Sequence, residues 1–220
     1  MKRPIVTVPH DLLRFVEVDW DIDWRGQSNG DTTGGNSAVV FNKFPRWIGS
    51  PSLFLDADAM AMWRTVRAQA QGRLGIYKLT MIDPVGFDGD RSQQPLGFAD
   101  GGLFASGTGF AHDPLCFADS DAPAGATRIV ISGAEHSPRP GQIMSHQMWP
   151  FVVTSVEERA GDVCALEIQM PLRVAIAKGD PIRLQGQGLF EAVEEGMGRS
   201  SYGLAMVSRP RLSFREVLNR

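Results

Sequence analysis

"MWPFVVTSVEERAGDVCALEIQ", residues 148–169, holds two strand-like runs rich in apolar and β-branched residues, parted by the turn-forming stretch ERAGD. Short apolar runs bounded by Gly and Asp read as neighbouring strands of an antiparallel sheet. The pattern continues on both sides. TRIVISG precedes it, and DPIRLQG, LFEAVEE, SYGLAMVS and RLSFREVL follow, with AKGD as a further turn. Strand-like runs at roughly ten-residue spacing predict a compact antiparallel barrel or sandwich over residues 126–220, with no helix required.

Upstream the periods differ. In "RFVEVDWDIDWRG" (14–26), Val16, Val18, Trp20, Ile22 and Trp24 fall on one face and Glu17, Asp19, Asp21 and Asp23 on the other, which predicts a long amphipathic strand. The turn formers of GQSNGDTTGGNS follow, and Ala38–Phe41 predicts a second strand returning beside the first. A single helix is predicted near Asp58–Gln71. Asp56 or Asp58 offers an N-cap, Ala59, Trp63, Val66 and Ala70 share a stripe, Arg64 and Arg67 lie past the middle, and Gly72 supplies the stop. GIYKLTMIDP reads as another strand, ended by Pro84. Residues 1–95 are thus an N-terminal β domain with one packed helix, and the whole chain is a mainly β, β-rich α+β fold.

Between the two domains periodicity is lost. In "GFADGGLFASGTGFAHDPLCFAD" (97–119) the dipeptide Phe-Ala recurs at Phe98, Phe104, Phe110 and Phe117. Glycine supplies bends and each ring can fill a pocket, so residues 96–125 are expected to be an extended connector anchored by these four Phe. Positive φ is expected at Gly101, Gly107 and Gly109.

Composition narrows the function. The chain has 220 residues, 22 basic and 25 acidic, for a net charge of −3, which gives no general attraction for nucleic acid. Cys116 and Cys164 are the only cysteines and are expected to be reduced and mostly buried. No apolar window suits a signal peptide or a membrane span, so a chain that stays in the cytoplasm or enters something assembled there is expected. Counted from Asp19, an EF-hand would need Gly and Glu where Trp24 and Gly30 stand. GRSSYG is not a nucleophile elbow. His10, His112, His136 and His146 are scattered, and QGQGLFE lacks the following helix of a dinucleotide site. No catalytic residue, cofactor or metal is therefore expected. Glu17, Asp19, Asp21 and Asp23 read as a solvated strand face, or as one that meets arginines of a neighbouring subunit, because aligned like charges repel unless countered. Arg64, Arg67 and Arg73 are the candidate counter-charges.

The order of motifs resembles minor tail proteins of long-tailed, non-contractile bacteriophages, of the distal tail or tail-tip kind. A Trp-rich strand and a Gly/Ser turn lead to FPRWIGSPSLFL and MWRTVRAQAQGRLGIYKL. The Phe series of the connector follows, then AGATRIVISG, PGQIMSHQMWPFVVTSV, MPLRVAIAKGDPIRL and LSFREVL. Met170, Ala105 and Pro150 depart from the family pattern, Pro150 by standing inside an expected strand. The resemblance implies a structural virion protein at the tail tip, assembled in the host cytoplasm. It implies a cyclic homo-oligomer, a hexamer in preference to a trimer, that joins tail tube protein to hub proteins, without nucleic acid, membrane insertion or catalysis. Two other functions stay open: a carbohydrate-binding module using some of Trp20, Trp24, Trp47, Trp63 and Trp149, and a cell-wall hydrolase, which would need a carboxylate pair in a cleft.

Overall fold

A computed structural model describes residues 3–13, 17, 19–31, 33–35, 37–40, 42, 44–85, 105, 114–158, 161–202 and 206–220. In chain order the elements are β1 (Ile5–Thr7), β2 (Trp20–Asp23), β3 (Gln27–Asp31), β4 (Ser37–Val40), β5 (Arg46–Gly49), α1 (Ala57–Ala70) and β6 (Ile76–Thr80). There follow β7 (Leu115–Ala118), β8 (Arg128–Ser132), β9 (Ile143–His146), β10 (Trp149–Glu158), β11 (Cys164–Gln169), β12 (Pro181–Arg183), β13 (Gln187–Ala192) and β14 (Phe214–Glu216). The fold is mainly β, with one α-helix among the described residues.

Two compact units divide the chain: Met1–Leu79 with Leu189–Arg220, and Thr80–Gly188. The expected boundaries at 95 and 125 do not coincide with these. LFEAVEE and RLSFREVL form strands as expected, but β13 and β14 complete the sheet begun by β1 and β6. Local periodicity specifies that a run is a strand; it says nothing about which sheet takes it.

The first unit is a six-stranded sheet in the order β1-β6-β13-β14-β5-β2. β1 runs parallel to β6, and β13, β14, β5 and β2 pair antiparallel in turn. Helix α1 buries Met60, Trp63, Val66 and Ala70, close to the expected stripe. Its N-cap is Asp56, whose side chain accepts the Ala59 N–H, and Gln71 closes the other end with φ 51°. Aromatic rings run on through the core from Trp63 to Tyr77 on β6, Phe214 on β14, Phe190 on β13 and Trp20 on β2, at centroid spacings of 6.4, 5.4, 6.3 and 5.2 Å. Tilted or edge-on contacts of this kind stabilise a core beyond the area they bury. Trp20 passes over its cross-strand partner Gly49, where a Cβ would collide with the ring.

The neighbour of β2 differs from expectation. β2 pairs with β5, whereas β4 pairs with β3 in a separate two-stranded hairpin. GQSNGD, expected as a turn, is itself the first strand of that hairpin, and the turn lies beyond it, where Gly35 has φ 79°. Described residues of the expected long strand form β2 only over Trp20–Asp23, and Trp24 beyond it is exposed.

The second unit is a closed barrel in the order β10-β11-β8-β7-β12-β9, as one of the two expected architectures requires. Its core includes Cys116, Ile131, Met144, Phe151, Val153, Leu166 and Ile182, all buried. β10 is long enough to pair with β9 at one end and β11 at the other, with Val152 opposite both Ile143 and Gln169. A register shift between Val153 and Ser155 bends it, and a bulge of this kind turns a strand around a barrel. Pro150 is tolerated near the start of β10, opposite Ser145. Next to a two-residue hairpin loop the flanking pair, Trp149 and His146, exchanges the hydrogen bonds, and the next pair does not. SYGLAMVS forms no named strand among its described residues; Ser208 makes an isolated bridge with Leu55.

Candidate functional site

Within the chain, arginines counter two of the four acidic residues, and the other two accept backbone N–H groups. Asp23 lies opposite Arg46 on β5 and takes its Nε–H at 3.1 Å. Asp19 accepts the Ser50 N–H, Asp21 that of Ile22, and Glu17 pairs with Arg211 at 3.0 Å, both ends exposed. Arg64 stacks on Tyr202, 5.6 Å from the ring centroid, and donates to its hydroxyl at 3.2 Å. Arg67 is half-buried and Arg73 exposed, the latter's carbonyl accepting from Arg3. The structure does not bring the acidic set and this arginine set together in one chain.

Of the four expected arm anchors, Phe98, Phe104 and Phe110 lie outside the described residues, as do Gly101, Gly107 and Gly109. Phe117 belongs to barrel strand β7 and is 45 % exposed. Its neighbours Cys116 and Ala118 point inward, so the period-two alternation of a strand turns Phe117 away from the core. The connector therefore gives way to regular structure by Leu115.

A recess in the second unit gathers chemistry that the sequence did not signal. It is a shallow recess open to solvent, and its lining includes His146, Trp149, Met170 and Arg173. Arg173 places its guanidinium 6.0 Å from the centre of the Trp149 ring, a cation–π arrangement. The His146 side chain is buried. Its Nδ1 lies 3.2 Å from the Pro181 carbonyl, which only accepts, so that nitrogen carries the proton; its Nε2 faces Asp180 at 3.8 Å. Asp180 in turn accepts the Ala177 N–H.

Backbone strain borders the same recess. Gln147 and Met148 join β9 to β10 with φ of 47° and 65°, and Met170 follows β11 with φ 65°. A two-residue hairpin loop with positive φ at both positions is a type I′ turn, which favours Asn and Gly. A non-glycine residue there costs of order 1 kcal/mol or more. The signal in the sequence was HQMW, a two-residue link without glycine, but it is informative only once the β9–β10 register is known.

Other groups serve the fold. Burial pushes the Cys116 thiol up to about 12, with the neighbouring Cys164 thiol adding to it, and burial also raises Cys164. Neither thiol is an activated nucleophile. Glu191 on β13 sits between Arg3 at 2.8 Å and Arg215 at 2.7 Å. Burial works to raise its pKa, but hydrogen bonds from both arginines and their charges hold it below the ordinary carboxylate value. Among the described residues no group of three or more His, Cys, Asp or Glu is placed to hold a metal ion, and no helix is long and apolar enough to cross a membrane.

A comparison with protein-family models finds no match to this chain, and a comparison with curated proteins finds none either.

Proposed function

We propose that the protein is a structural subunit of a bacteriophage tail, a non-enzymatic ring component that joins the tail tube to the tip. The reading starts from the order of motifs along the chain. The observation that carries it furthest is where the described motifs fall: on strands and turns that shape a sheet and a barrel. FPRWIGSPSLFL contains β5, AGATRIVISG contains β8, Gly125 and Gly141 turn with φ of 87° and 89°, and Gly179 turns with φ 89° before β12. Motifs that fix shape suit a protein whose work is assembly. In this reading the subunit repeats around the tail axis, six copies in preference to three, and contacts tube and hub proteins on its two sides. The test is to purify the virions produced by the genome that encodes the chain, identify the chain by mass spectrometry, and locate it by electron microscopy. A ring at the distal end of the tube is the expected result; absence from purified tails overturns the proposal.

A second reading, a carbohydrate-binding module, is favoured by one observation. Trp149, half-exposed in the barrel recess beside Arg173 and His146, combines an apolar ring with polar edges, the mixture that saccharides require. Trp47 and Trp63 are buried in the core and unsuited to that role. Saturable quenching of tryptophan fluorescence by oligosaccharides, lost in Trp149→Ala, is the result that would favour this second reading.

A further inference from the structure

The β3–β4 hairpin raises a question that its own unit does not answer. Among the described strands, β3 and β4 pair only with each other, and an isolated two-stranded hairpin is marginal in water. Val39 and Val40, consecutive on β4, are 60 % and 47 % exposed. Neighbouring strand residues point to opposite faces, so no single sheet packed on one face would cover both. Trp24 and Phe44, which flank the hairpin in the chain, are 48 % and 61 % exposed. The paired strand β3 reads QSNGD and carries the polar side.

The six-stranded sheet offers a surface of matching kind at its far edge. The hairpin is inserted between β2 and β5, the two strands at one end of the sheet, whereas β1 forms the opposite edge. On β1 the Pro4 carbonyl accepts from Ile76, and the Val8 N–H donates to Lys78, both on β6. Residues 4, 6 and 8 thus turn their backbone groups toward β6, and Ile5 and Thr7 turn theirs to the outer side. The Ile5 side chain is 56 % exposed.

We propose that the hairpin of one copy docks along the β1 edge of the next copy, adding β4 as a further strand, with Val40 beside Ile5 on one face of the extended sheet and Val39 on the opposite face with Val6. Donor and acceptor surfaces lie at opposite ends of the same sheet, so the contact is head-to-tail and repeats from copy to copy. Only the closing of that repeat into a ring rests on the tail-ring reading; the pairwise contact stands on the sheet alone.

Two cysteine variants test it, each with Cys164→Ser to remove the half-buried native thiol, so that the buried Cys116 is the one native thiol left. One carries Val40→Cys and the other Ile5→Cys, and a disulfide requires Cβ atoms within about 4.5 Å. Mild oxidation of the mixture is expected to give a disulfide dimer containing one chain of each kind, at about ten times the yield of either variant alone, the ratio of one 1.4 kcal/mol preference. Dimers from Val40→Cys alone at equal yield would mean symmetric hairpin pairing and would overturn the proposal. So would no adduct in the mixture, provided both variants give the wild-type circular dichroism. In a second arm, Thr7→Pro placed in the Ile5→Cys chain, which removes an outward N–H of the β1 edge, should abolish the mixed adduct. A specific adduct from a chain absent from tails overturns the ring function and keeps the contact; a chain present in tails without the adduct does the reverse.

Discussion

Glu191 shows how a single carboxylate couples two strands to the pH of the solution. It bonds Arg215, its direct cross-strand partner on β14, and Arg3, which leads into β1. Its folded-state pKa is lowered, so it contributes stability that is fully present above the unfolded value of about 4.3 and is lost as pH falls through the folded value. Glu191→Gln should cost about 1.5–3 kcal/mol at pH 7, the range for hydrogen bonds to charged groups, and less as the pH falls below 4. Urea unfolding at pH 7 and pH 3.5 checks this; an equal loss at both would mean the charge is not what matters. Gly198 is the second such position. Its φ is +67°, its carbonyl accepts the Trp63 Nε1–H at 2.8 Å, and an added Cβ would lie 2.5 Å from the Trp63 ring. Gly198→Ala therefore combines overpacking with backbone strain and should destabilise by about 2–4 kcal/mol. Thermal unfolding within the error of wild type would show that the Trp63 contact relaxes without cost.

The elements differ in how plainly the sequence announces them, and the reason is the range over which each is determined. Helix α1 was legible because its cap, stripe and stop all lie within the segment: Asp56 accepts the Ala59 N–H, Trp63 and Val66 face inward, and Gln71 and Gly72 take positive φ. The β3–β4 hairpin was not. QSNGD carries no apolar alternation, and it is a strand only because β4 lies beside it. The recess was least legible, since Trp149 and Arg173 are brought together by the closure of the barrel and not by spacing. The acidic ladder was visible as charge, but Arg46 and Arg211, which counter two of its members, could be assigned only from strand register and chain return. The β9–β10 turn allows a direct test of strain. Replacing Gln147-Met148 by Asn-Gly fits both positive-φ positions and should stabilise the barrel by about 1–2 kcal/mol. If the turn stores strain for binding, the same change should weaken any ligand of the Trp149 recess. A stability unchanged or reduced would mean that the present residues relieve the strain through contacts of their own.

Two units laid out as one inserted within the other give the chain a particular vulnerability. The first sheet depends on residues from both ends of the sequence: β14 lies between β13 and β5, and Phe214 touches both Tyr77 and Phe190. The barrel, by contrast, is formed by one continuous stretch, and its core of Ile131, Leu166, Val153 and Ile182 is its own. A unit with its own core is expected to respond to mutation as a separate cooperative body. Phe214→Ala removes a buried ring from the middle of the first sheet and should cost that unit about 3–5 kcal/mol. In hydrogen exchange under native conditions, amides of β5, β6, β13 and β14 should then lose protection by two to three orders of magnitude, since each 1.4 kcal/mol is a factor of ten. Amides of β8, β10 and β11 should keep theirs. A uniform loss across both sets would show one cooperative body, and the contiguous barrel would then owe its stability to the sheet built from the chain's two ends.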